Sequence, residues 1–302
     1  VRTSLHARKQ DFSVANITYH QPADSAFFQG FSGTPSLVSA SNTLIVTADG
    51  PYSAAISGIF SPTGSGIANS ITYSYGGTPY VTFSGFSISA TNTYAVNNLF
   101  RGDDRITGSW GNDTFFVSLG NDDYNGGTGR DTISYDVSKS FVTVNVSGTG
   151  YLAKVAGKTD AINNVERLAF TDGVLALDVK AGETTGSVYR LYQAALDRKP
   201  DAVGLKFWVN QVDQGASIAN VAMGFVQSNE FRVLNPASDT PSLLKSYYQN
   251  VLHRAPDAGG LAFWSNQAAS GVQSHEILVA FAESNENIGN TAAATENGIW
   301  LG

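Results

Sequence analysis

Residues 99–134 divide into four blocks of nine: LFRGDDRIT, GSWGNDTFF, VSLGNDDYN and GGTGRDTIS. Each block keeps glycine at position four (Gly102, Gly111, Gly120, Gly129) and aspartate at position six (Asp104, Asp113, Asp122, Asp131). A bulky residue holds position eight (Ile106, Phe115, Tyr124, Ile133). The last block completes the pattern GGxGxDxUx, with U large and apolar, through Gly126 and Gly127. In such a repeat six residues form a turn and three a short strand, so two blocks make one full turn of a flattened solenoid.

Alternate blocks then share an edge. Asp104 is expected to face Asp122 across one stack of turns, and Asp113 to face Asp131 across the other. The position-eight residues point inward, Ile106 over Tyr124 and Phe115 over Ile133. Glycine permits positive φ values that aim backbone carbonyls into the edge, and each aspartate adds a carboxylate. Hard oxygen donors in number, without cysteine or clustered histidine, select Ca²⁺ over transition metals. The candidate metal residues are Gly102, Asp104, Gly111, Asn112, Asp113, Gly120, Asn121, Asp122, Gly127, Gly129 and Asp131. Without a cation, stacked carboxylates repel and glycine-rich turns carry too much entropy to hold still, so the segment is expected to be loose until calcium arrives. At a free concentration tenfold above Kd, each site would stabilise the fold by about 1.4 kcal/mol. The competing reading is a metal-free solenoid whose aspartates only fill turns.

Composition narrows the setting. The 302-residue chain is 14% charged, contains 31 glycines and carries a formal net charge of −7. Nucleic-acid binding through basic patches is therefore not expected. With no cysteine, neither disulfides nor thiolate metal sites staple the fold. No apolar run approaches the roughly 20 residues needed to span a bilayer. The start, VRTSLHARKQDFSV, has basic residues but no apolar run behind them, so a signal elsewhere or a removed leader is expected.

The first glutamate is Glu166. The region before it is rich in strand and turn formers, so residues 11–180 read as almost wholly β. ITYSY (Ile71, Tyr73, Tyr75) alternates, breaks at Gly76-Gly77 and resumes around Val81, Phe83, Phe86 and Ile88, which is a hairpin signal. FVTVNVSG sets Val142, Val144 and Val146 on one face. In NNVERLAFTDGVLALDV the turn Thr171-Asp172-Gly173 joins two apolar runs.

From about Thr184 the period becomes helical. YQAALDRKPDAVGLKFWVNQ, from Tyr192, recurs as YQNVLHRAPDAGGLAFWSNQ from Tyr248, an offset of 56 residues. Asp201 and Asp257 are placed as N-caps. Leu205/Trp208 and Leu261/Trp264 fall one turn apart on a single face. Phe207 and Phe263 beside them are expected to join the cores of the two copies.

Residues 99–134 resemble the repeats-in-toxin (RTX) family. That resemblance implies a calcium-bound parallel β-roll, and export from a Gram-negative cell by a type I system using an uncleaved signal near the C-terminus. The apolar end, Gly298 to Gly302, would be part of that signal. NNVERLAFTDGVLALDV resembles the segment that closes such arrays. The duplicated LDRKPDAVGLKFW and LHRAPDAGGLAFW resemble a domain of unknown function of secreted proteins, and the helical region by which some S-layer proteins attach to lipopolysaccharide. Only the last nonapeptide has the double glycine, so the earlier sites are expected to be weaker.

The expected fold is multidomain β plus α: a β-rich region (1–98), a β-roll with its closing segment (99–182), and an all-α domain (183–302) with repeats at about 188–235 and 244–291. Residues 1–98 hold only Asp11, Asp24 and Asp49 as acids, with His6 and His20. His275-Glu276 lacks the second histidine of a zinc protease, and no GxSxG occurs. The expectation is a non-catalytic, secreted, calcium-binding surface protein that self-associates in an S-layer, matrix or filament. The alternative is an adhesin that binds polysaccharide or lipopolysaccharide, with a hydrolase ranked after it.

Overall fold

The computed structural model describes residues 15–21, 36–41, 44–61, 66–89, 101–237 and 239–302. The chain divides into two compact units, Val1–Thr171 and Asp172–Gly302.

In the first unit, β1 (Asn16–Tyr19), β2 (Ser36–Ala40), β3 (Leu44–Asp49), β4 (Tyr52–Phe60), β5 (Gly66–Tyr75) and β6 (Thr78–Ser89) precede the array. Strands β2 to β6 form an antiparallel meander. The expected hairpin is β5–β6, with Tyr75 opposite Thr78. Its turn takes φ of +56° at Gly76 and +83° at Gly77, a left-handed pair that glycine adopts at least cost. The alternation has a physical outcome: Ile71, Val81, Phe83 and Phe86 are buried.

Each nonapeptide block contributes one three-residue strand: β7 (Arg105–Thr107), β8 (Thr114–Phe116), β9 (Asp123–Asn125) and β10 (Thr132–Ser134). β7 pairs parallel with β9, and β8 with β10. Alternate blocks thus lie in the same sheet. After the array come β11 (Thr143–Ser147), β12 (Gly150–Val155), β13 (Lys158–Asn163) and β14 (Arg167–Phe170). β11 to β13 form an antiparallel meander. Val142 and Val144 are buried, while Val146 at its end is exposed.

The closing segment also extends the coil. β13 pairs parallel with β9, and β14 with β10. At the other end β1 pairs parallel with β7 and antiparallel with β6. One sheet therefore runs β11-β12-β13-β9-β7-β1-β6-β5-β4-β3-β2. Inside the roll two apolar columns stack in register. One is Ile17, Ile106, Tyr124 and Ile162. The other is Phe115, Ile133 and Leu168. All seven side chains are buried, so three-residue strands too short to persist alone are held by a continuous core.

The second unit opens with β15 (Gly173–Ala176) and continues through eight helices among its described residues. These are α1 (Thr184–Leu196), α2 (Ala202–Asp213), α3 (Ile218–Val226), α4 (Asn229–Leu234), α5 (Thr240–Leu252), α6 (Ala258–Ala269), α7 (Ser274–Ala282) and α8 (Asn285–Thr295). Each helix of the first copy begins 56 residues before its counterpart. The duplication reaches single contacts. Asp201 accepts from Gly204 N and Asp257 from Gly260 N, both at 2.8 Å. Arg198 bonds Glu230 as Arg254 bonds Glu286. Trp208 packs on Phe225 and Trp264 on Phe281.

Phe207 and Phe263 depart from expectation: each is 53% exposed. A helix advances 100° per residue, so with Leu205 and Val209 buried the side chain at 207 turns outward with Val203, which is also exposed. Their edges meet Trp208 and Trp264 at 5.0 Å in both copies. The end of the chain is not helical. Ile299–Trp300 forms β16, antiparallel to β15, and Ile299 and Leu301 are buried.

Candidate metal centre

Six acidic side chains line the two edges of the roll, and hydrogen bonding sets their positions. On one edge Asp104 N donates to Asp122 Oδ1 at 3.0 Å. On the other, Asp113 N donates to Asp131 Oδ1 at 2.8 Å. The structure thus brings together the pairs that the nine-residue spacing requires. The second oxygens differ: Asp113 Oδ2 accepts from Ser109 N and Oγ and Asp122 Oδ2 from Ser118 Oγ, while those of Asp104 and Asp131 have no partner.

The ladder continues past the array in residues that the repeat pattern does not include. Asp122 N donates to Asp160 Oδ1 at 3.2 Å, and Asp131 N donates to Glu166 Oε2 at 2.7 Å. At the opposite end Ala15 N donates to Asp104 Oδ1 at 2.8 Å. A signal for these rungs was present. Asp160-Ala161-Ile162 and Glu166-Arg167-Leu168 repeat the acid-x-apolar triad of Asp122 to Tyr124 and Asp131 to Ile133. It was hidden because intervening residues break the period of nine.

Position-four glycines stack tightly. Gly120 takes a φ of +117° and Gly129 one of +126°. A Cβ at Gly120 would run into the Gly102 carbonyl, and one at Gly129 into Gly111. Close approach between coils, as well as conformation, demands glycine there. Asn112 and Asn121 lie on the solvent side. Asn112 Oδ1 accepts from Arg130 N at 2.8 Å, and Asn121 Oδ1 accepts from Thr159 N at 2.9 Å. These side chains stitch neighbouring coils together from outside.

Burial makes the edges electrostatically costly. Asp104, Asp113, Asp122, Asp131 and Asp160 are each 0–2% exposed. Asp104 Oδ2 and Asp131 Oδ2 have no hydrogen-bond partner, a rare condition that costs about 1–3 kcal/mol for a neutral group and more for a charged one. Burial pushes the Asp104 carboxyl up to about 6, against the hydrogen bond from Ala15 and with added repulsion from Asp122 and Asp103. Burial likewise pushes Asp131 up to about 7, with Glu166 and Asp113 adding repulsion. Asp122 and Asp160 are raised for the same first reason.

Among the described residues no group of three or more His, Asp or Glu side chains is gathered as a metal cage. The arrangement offers instead two carboxylates per level and backbone carbonyls from the turns. Such a set of oxygens fits a hard divalent cation, because Ca²⁺ takes 6–8 oxygen ligands including carbonyls. The interior between the edges is apolar. A cavity of about 260 Å³ there is lined by Tyr19, Phe83, Phe115, Phe116 and Tyr124 among others, so the ionic chemistry belongs to the edges.

Among the described residues no helix is long and apolar enough to cross a membrane. No curated protein and no solved structure matches the chain. In the second unit, residues 181–235 and 239–291 each match the family described as Domain of unknown function (DUF4214), one match to each copy of the four-helix repeat.

Proposed function

We propose that this chain is a non-catalytic, secreted calcium-binding protein whose β-roll orders on meeting external Ca²⁺. The observation that carries the reading is the ladder of buried carboxylates, with Asp104 Oδ2 and Asp131 Oδ2 unpartnered. Asp104 with Asp122, and Asp113 with Asp131, would hold the ions together with turn carbonyls. A bound dication supplies the positive charge that removes the repulsion along each edge. The protein's own residues supply the rest: glycines let the coils stack, and amide-to-carboxylate hydrogen bonds fix one oxygen of each aspartate.

The resemblance to RTX proteins supports export followed by folding outside the cell, where calcium is plentiful. On that reading calcium also triggers self-association into an S-layer, matrix or filament. Sedimentation of the purified chain with and without CaCl₂ tests this, and calcium should convert it into large oligomers or sheets. A stable calcium-loaded monomer that binds polysaccharide would favour an adhesin instead. The exposed rings of Phe207 and Phe263, repeated edge-on to the partly buried Trp208 and Trp264, favour that second reading, since exposed aromatic faces are a common means of holding sugars.

A further inference from the structure

The two edges of the roll end differently. On the Asp104/Asp122 edge the last level is Asp122 over Asp160, and Lys158 reaches into it. Its Nζ donates to the carbonyl of Ser118, and its charge acts favourably on both carboxylates. Asp160 Oδ2 also accepts from Tyr135 OH at 3.3 Å. On the other edge the last level is Asp131 over Glu166, and the charges that act on Asp131 are two further carboxylates, Glu166 and Asp113.

The space at that second level is lined by oxygen. Asp131 is 0% exposed and its Oδ2 has no partner. Asn164 adopts a left-handed φ of +49°, and its carbonyl oxygen crowds the same point as Asp131 Oδ2: a Cβ added at Gly126 would meet both. Asp131 is anchored from two sides, by Asp113 N at its Oδ1 and by its own amide to Glu166 Oε2. A buried, unpartnered carboxylate oxygen and a turned carbonyl share a space that only glycine leaves open, and a second carboxylate, Glu166, is bonded to the amide of that same aspartate.

We infer that the closing segment carries a divalent-cation site of its own, formed by Asp131, Glu166 and the carbonyl of Asn164, and that Lys158 provides a fixed cation in place of a metal at the matching level of the other edge. This rests on calcium binding by the array. The number of ions held is therefore not set by the nonapeptides alone. A residue after the array adds one ion on one edge, and a lysine removes the need for one on the other.

Calcium bound per chain, measured by equilibrium dialysis on the full protein, tests the inference. E166Q should hold one Ca²⁺ fewer than the unsubstituted chain, and E166D, which keeps the charge on a shorter side chain, should keep the ion but bind it more weakly. K158M should hold one more, or show a steeper calcium dependence of melting. Unchanged stoichiometry in E166Q would overturn the new site, and unchanged behaviour in K158M would overturn the role given to the lysine. If E166Q does not fold, E166D decides in its place: a weakened last binding step supports the site and an unaltered isotherm overturns it. A chain that binds no calcium at all would overturn the array reading and this one together, whereas a loss confined to E166Q separates the two.

Discussion

The two units solve the same problem with opposite materials. The helical unit buries carbon: Leu205, Val209, Val221, Leu244, Val251 and Leu278 are each 0–2% exposed. Its buried charge is paired, with Arg190 bonded to Glu283 at 2.9 Å and to the carbonyls of Val179 and Lys180. The roll buries carboxylates one above another and leaves two of their oxygens unpartnered. The helical unit's buried arginine meets its counter-charge within the chain, whereas on the proposed reading the roll takes its counter-charge from a bound cation.

The largest expected effect falls on Asp122. It accepts from Asp104 N, Ser118 Oγ and Tyr124 OH, so Asp122→Ala leaves buried donors unsatisfied in the middle of a stack. In calcium-saturated protein it should cost about 4 kcal/mol and flatten the calcium response, read by denaturant melts. The counterpart in the helical unit is Leu278→Ala, expected to cost about 3 kcal/mol through a cavity. That penalty should be the same with calcium or chelator. A calcium-dependent penalty at Leu278 would break the contrast.

The pH dependence sharpens it. Asp104 and Asp131 titrate in the folded roll at about 6 and about 7, above the ordinary 3.8. A folded pKa above the unfolded one means that the folded state holds more protons in that window. Calcium-free protein should therefore be most stable below the unfolded value and lose roll stability as pH rises through the folded values. Calcium should reverse this, because it binds the deprotonated form. Melting at several pH values, with and without calcium, checks the sign. The smallest effect is Ser217→Ala, which removes the cap on Asn220 N and should cost about 1 kcal/mol regardless of calcium.

What the sequence discloses follows from periodicity. The interval of nine places Asp104 with Asp122 and Ile106 with Tyr124, because register and spacing are the same fact in a solenoid. The offset of 56 likewise predicts every helix of the second copy from the first. Four features escape that logic. β1 joins the roll from far away in the chain, and no repeat marks it. Asp160 and Glu166 arrive after an inserted hairpin, so their triads are legible only once pairing with β9 and β10 is known. Phe207 and Phe263 look like core by composition, yet the helical angle set by Leu205 and Val209 turns them outward. Arg190 and Glu283 have no counterparts in the repeat, where Ser246 and Gln227 stand instead. That pair joins the two copies, so internal symmetry could not announce it.

The central claim is that the roll needs a divalent cation and the helices do not. Far-ultraviolet circular dichroism of the full chain, during a calcium titration followed by chelation, addresses it directly. The account predicts that calcium adds β signal and raises the melting temperature of one transition, that chelation reverses both, and that the helical band at 222 nm is present throughout. A spectrum and a melting curve unchanged by calcium would contradict it.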